Sequence, residues 1–186
     1  MNHRYFFFPL FICLISLSCD DNRHIRHYRI PKTTITKLES PKSVESTELQ
    51  WIAHRKWIPT KGSSMRIGSF DVPFSDGTGD LSIIKLDGSA GGLALNINRW
   101  RVQLNLNSHT EIVIQKYTQN GESQLGPFLW FTIINPENVE TAFLTAIFQT
   151  ETQTIFVKLS ATTDGISELE SQFLDFCKSF KLDVNQ

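Results

Sequence analysis

Apolar positions are spread unevenly along this chain, and the unevenness divides it into three stretches. Residues 5–17 form a nearly continuous apolar run, broken by Pro9 and Ser16 and preceded by Arg4. The run is shorter than the ~20 residues a helix needs to cross a bilayer, and it has the length of a signal-peptide core. Polarity changes abruptly at Asp20, Asp21 and Asn22. Residues 20–46 show no apolar periodicity, carry Pro31 and Pro41, and are rich in Thr and Ser, which predicts a linker. Periodic patterning begins near Leu49. The expected organisation is a signal peptide over 1–18, a modified N-terminus and linker over 19–46, and one folded domain over 47–186.

Within the domain the period changes from two to 3.6 and back. Residues 66–72 alternate in character and predict a strand ending at Pro73, and residues 80–86 predict its hairpin partner. Between them lies the turn-forming series Ser75-Asp76-Gly77-Thr78-Gly79. In residues 93–106, Leu93, Ile97, Trp100 and Leu104 mark one helical stripe, while Leu95, Val102 and Leu106 fall on the opposite side. A strand there would slip phase at Asn98-Arg99, so a helix buried on two sides is expected, with Trp100 in the core. Residues 111–117, 128–134 and 141–148 are β-prone, and 154–159 predict a central strand. Ile166, Leu169, Phe173, Phe176, Cys177 and Phe180 recur at helical spacing, with Ser167 and Glu170 spaced as a capping box. The fold class that follows is α+β, a mostly antiparallel β-sheet flanked by helices.

Composition narrows the chemistry. A chain of 186 residues with 40% hydrophobic content suits one globular domain. The formal net charge of −1 supplies no basic footprint, so nucleic acid is not an expected partner. Of the three cysteines, Cys13 lies in the apolar run and Cys19 at its end, leaving Cys177 alone in the body. No intrachain disulfide is then available to the domain, and its core must hold it together. Cys177 sits on the apolar stripe of the last helix and is expected to be a core residue rather than a reactive thiol.

Cys19 stands where the apolar leader meets polar chain, with the small residues Ser16 and Ser18 three and one positions before it. The segment Ile15-Ser16-Leu17-Ser18-Cys19 resembles a bacterial lipobox, with Ser and Leu where Leu and a small residue are usual. The expectation is lipidation at Cys19 and attachment to a membrane on its periplasmic or extracytoplasmic side. The alternatives are an ordinary secretory signal cut after Ser18 and an uncleaved anchor. His24 and His27 are spaced like a metal pair but lack a third ligand nearby, so no metal site is expected. The chain has no HExxH, CxxC, GxSxG, P-loop or GxGxxG motif, and no local motif links His54 or His109 to a nucleophile. No cofactor is expected.

One segment holds the candidate binding residues Gly91, Gly92, Asn96, Asn98, Arg99 and Arg101, followed by Gln103. Glycines ahead of a helix leave backbone N–H groups open to an anion or carboxylate, and arginine forks suit carboxylates. The competing view is that the glycines serve a tight turn and the polar side chains are solvated or cap neighbouring strands. Two functions of different class are carried forward. One is an anchored, non-catalytic binding or assembly module that meets a protein partner in the cell envelope. The other is an exported enzyme or small-ligand-binding protein.

A resemblance adds to this. Met65-Arg66-Ile67-Gly68-Ser69-Phe70, Asp80-Leu81-Ser82, Ala90-Gly91-Gly92 and the run from Asn96 through Asn98-Arg99-Trp100-Arg101 to Leu104 resemble a family of uncharacterised bacterial membrane-anchored or exported proteins. In that family an AGG…NxNRWRxQL segment follows a hairpin. Thr154-Ile155-Phe156-Val157-Lys158-Leu159 and the helix through Phe173 and Phe180 resemble the end of the PsbP-like fold. That fold is a mostly antiparallel sheet between helices, shared by a photosystem oxygen-evolution subunit and a Ran-binding nuclear-import factor. The likeness covers most of residues 50–182. It departs after Leu104, where Asn105-Leu106-Asn107 replaces a Gly-Leu-Pro turn. It implies binding or assembly rather than catalysis.

Overall fold

The structure is a computed structural model and describes residues 48–183. Cys19, the leader, and the linker histidines His24 and His27 lie outside the described residues. Two consecutive strands open the sheet. Strands β3 (Arg66–Phe74) and β4 (Gly77–Asp87) form a hairpin whose two-residue connection is Ser75 and Asp76. The strand runs through Pro73, which pairs with Thr78. The short edge strand β2 (Ile58–Pro59) faces only Asp71 and Phe70, so Pro73 lies where β3 has a neighbour on one side alone, a tolerated place for proline.

After two helices, α1 (Gly92–Gln103) and α2 (Glu111–Tyr117), the chain lays down a four-stranded meander. It consists of β5 (Gln119–Ser123), β6 (Gly126–Asn135), β7 (Asn138–Gln149) and β8 (Gln153–Ala161). Strand β8 then pairs antiparallel with β4, which joins meander to hairpin in the order β2-β3-β4-β8-β7-β6-β5. β8 is thus the central strand that its apolar run predicts. Helix α3 (Thr163–Lys178) follows, and β9 (Lys181–Asp183) closes a separate two-stranded ribbon with β1 (Glu48–Gln50).

Strand alternation sends β8 side chains to two cores. Ile155, Val157 and Leu159 join the layer under α3, together with Leu169, Phe173 and Phe176. Phe156 turns to the other face and meets Trp100, Ile97 and Leu104 of the α1 segment and Ile114 of α2. The sheet therefore lies between helices on both faces, the α+β arrangement expected from the sequence. Each fully buried phenylalanine contributes roughly 2–3 kcal/mol through its apolar area. Trp100 and Cys177 are both buried, as their stripes predicted, with Trp100 edge-on to Phe156 at 5.9 Å between centroids.

Three local expectations are corrected. Residues 111–117 form helix α2, not a strand: Ile114 is buried against the α1 side of the sheet, and β-branched propensity yields to that packing. Helix α1 is buried on one side only, because Leu95 is 59% and Val102 61% exposed. The cap of α3 is Thr162, whose hydroxyl accepts from the Gly165 amide at 3.1 Å. Ser167 and Glu170 stand inside the helix, one turn past the true start.

Candidate functional site

The turn into α1 is left-handed at three successive residues, with φ of 46° at Ala90, 85° at Gly91 and 77° at Gly92. Glycine accepts that conformation without penalty. At Gly91 a side chain would also crowd Leu95, whose Cδ2 would stand 2.8 Å from an added Cβ. The Gly92 amide is already engaged, donating to the Ser89 carbonyl at 2.9 Å. Asn96, buried one turn into the helix, locks the same turn from beneath. Its Nδ2 donates to the carbonyls of Ala90 at 2.9 Å and Gly92 at 2.7 Å.

The other end of α1 is tied to the loop that follows. Asn98 meets both backbone groups of His109: its Nδ2 donates to the carbonyl at 2.9 Å and its Oδ1 accepts from the amide at 2.8 Å. Arg101 Nε donates to the Asn107 carbonyl at 2.8 Å. The Leu106 amide donates to the Arg101 carbonyl at 2.9 Å. Gln103 Oε1 accepts from Lys158 Nζ at 3.2 Å. Lys158 Nζ also lies 4.4 Å from the Phe143 ring centre, and burial lowers its pKa. So the structure does not gather the six candidates into one patch. Gly91, Gly92 and Asn96 belong to the entry turn, and Asn98 and Arg101 to the exit loop. Arg99 stands exposed between Leu95 and Val102 on the outward face.

Two of the hollows beside the helix adjoin the candidate residues. The smaller, about 170 Å³, lies between the first turn of α1 and the strands, and is lined by Gly92, Leu93, Asn96, Ile147 and Phe156. The larger is an open groove of about 410 Å³ bounded by α1, the exit loop, α2 and β6. Its walls include Ile97, Arg101, His109, Tyr117, Phe131 and Ile134. The His109 ring stacks on Tyr117 with centroids 6.3 Å apart and planes inclined by 28°. Burial lowers the His109 pKa, and the neighbouring Arg101 charge lowers it further. Burial also lowers the pKa of Arg101. Of the groove residues, Arg101 is the one that the sequence marks as a binding candidate. His109 reaches the groove through the Asn98 clamp, a contact across 11 positions that no local motif encodes.

Among the described residues, no group of three or more His, Cys, Asp or Glu side chains is placed to hold a metal ion. Among the same residues, no helix is long and apolar enough to cross a membrane. No protein-family model and no curated protein matches the sequence. Similar solved structures include a crystal structure from Bacteroides thetaiotaomicron VPI-5482, at 12% identity and a TM-score of 0.44. That match covers 74% of this chain but only 45% of the Bacteroides chain, less than half its length. Another is the solution structure of cyanobacterial PsbP (CyanoP) from Synechocystis sp. PCC 6803, at 18% identity and a TM-score of 0.44. It covers 78% of this chain and 99% of the other.

Proposed function

We propose that this chain is a lipid-anchored, non-catalytic binding or assembly module of the bacterial cell envelope, with a PsbP-like domain carried on a linker. The observation that carries the binding reading is the outward face of α1. Leu95, Arg99 and Val102 recur there at i, i+4 and i+7, exposed, on a helix pinned at its start by Asn96 and at its end by Asn98. Large apolar side chains held in water around an arginine are a usual composition for a protein contact surface. Rigid presentation also lowers the entropy cost of association. Arg99→Glu should abolish co-purification of an envelope partner from the protein's own membrane while leaving the melting temperature unchanged. The same set of captured proteins from wild type and Arg99→Glu would refute the reading.

The anchor rests on Cys19 and its flanks, with Ser18 before and Asp20 and Asp21 after. Each buried acyl methylene contributes about 0.8 kcal/mol, so two or more chains hold a protein stably at a membrane. Metabolic labelling with a fatty acid is expected to mark the wild type and spare Cys19→Ser, and an unlabelled wild type would end the claim. The small-ligand reading is supported by a separate observation, the groove beside Arg101.

A further inference from the structure

The outward ridge of α1 does not line the groove on its flank, and the groove has its own chemistry. We propose that it is a binding site for a small organic monoanion, a carboxylate head on a compact apolar body. The inference goes beyond the partner-binding reading and does not depend on it.

Size and lining come first. About 410 Å³ lies within the range of small-molecule sites, roughly 300–1,000 Å³. Much of the wall is apolar, contributed by Ile97, Phe131, Ile134 and the Tyr117 ring. Charge then selects the head group. Arg101 commits only its Nε, to the Asn107 carbonyl, and this fixes the plane of the guanidinium. Among the described residues its two terminal amino groups meet no acceptor. A half-fixed fork with both terminal amino groups available suits a planar carboxylate.

The electrostatic balance points the same way. Arg101 is partly desolvated, and no acidic side chain contributes to its shift. The Arg101 charge also helps to lower the His109 pKa, after burial. The groove therefore sets an arginine that has no carboxylate partner among the described residues beside an imidazole ring, which can itself take part in a hydrogen bond. A monoanion restores the balance. A dianion such as phosphate would leave its second charge facing an apolar wall, which is costly. The wall is also preformed: Asn98 clamps the His109 backbone at both polar atoms, and the His109 ring packs on Tyr117. Little order has to be imposed when a ligand enters.

The test titrates the full chain with 4-phenylbutyrate and with its uncharged amide, followed by calorimetry. The acid is expected to bind at least about tenfold more tightly than the amide, as a charge-assisted fork contact implies. Arg101→Gln should erase that preference. Because this change also removes the tie to Asn107, Ile134→Asp provides a second arm. It adds a like charge at the rim without touching the loop and should weaken the acid by about tenfold. Leu95→Ser, on the outer ridge, should leave acid binding unchanged, so failure here is separable from failure of the partner surface. Equal affinities for acid and amide in the wild type would overturn the proposal. Acid affinity that survives both Arg101→Gln and Ile134→Asp would also overturn it.

Discussion

Asn98 has one amide group and spends both of its ends on the backbone of His109. Asn98→Ala leaves a partly buried N–H and C=O unpaired, at an expected cost of about 2 kcal/mol in urea denaturation. Replacements at the exposed Arg99 should cost far less. Cys177 makes a contrasting case, because its burial follows from its place on the helical stripe. Burial pushes its thiol pKa well above the ordinary 9.0. The unfolded chain releases that proton near pH 9 while the folded chain keeps it, so stability is whole below pH 9 and falls as pH rises beyond it. The stability difference between wild type and Cys177→Ala should therefore shrink by about 1 kcal/mol between pH 8 and pH 10. A difference that stays constant across that range would place the thiol in water.

The helices differ in how much each owes to its own sequence. Helix α3 has 16 residues, a capping threonine and an apolar stripe facing the sheet. Thr162→Ala should cost it about 1 kcal/mol, measured as a lowered urea midpoint with an unchanged slope. Helix α2 has seven residues, no side-chain cap, and a single fully buried side chain, Ile114. So short a helix is not stable in isolation. Its amides are expected to exchange with solvent faster than those of β8 in native-state hydrogen exchange. Equal protection of the two would show that α2 belongs to the same cooperative unit as the central strand. The contrast also explains what could be read beforehand. The α3 stripe repeats over several turns and announces itself. The α2 segment, Glu-Ile-Val-Ile-Gln-Lys-Tyr, is β-prone by composition and helical by placement, with Ile112 left 80% exposed.

At the scale of the molecule, the sheet is assembled from two pieces far apart in sequence, the β3–β4 hairpin and the β5–β8 meander. Among the described residues, they are hydrogen-bonded to each other where β4 meets β8, in register from Asp80 opposite Ser160 to Asp87 opposite Gln153. The β1–β9 ribbon makes a second long-range closure, with Gln50 Nε2 donating to Asp183 Oδ2 at 2.6 Å. The Ile52 amide adds a bond to the Ser179 hydroxyl at 2.9 Å. Truncation after Phe180 removes the partner of β1. Limited proteolysis should then cut near residues 48–52 faster than in the full chain, while β4 and β8 stay protected. Cutting rates that do not change would mean that β1 is held by something other than β9.

What the sequence determined by itself is whatever a local period can encode. It placed the hairpin, the central apolar strand, the stripe of α3 and the buried positions of Trp100 and Cys177, because side-chain direction follows from a period of two or 3.6. It also located the polar segment of α1. Only the tertiary structure decided how those polar residues are used. Asn96 and Asn98 are turned inward to hold backbone, Arg99 is left outside, and Arg101 is set on the wall of a groove whose other members include residues of α1, the exit loop, α2 and β6. The reason is physical: a polar side chain takes whichever buried donor or acceptor the packed chain leaves it. That choice depends on contacts between segments distant in sequence, which no local pattern contains.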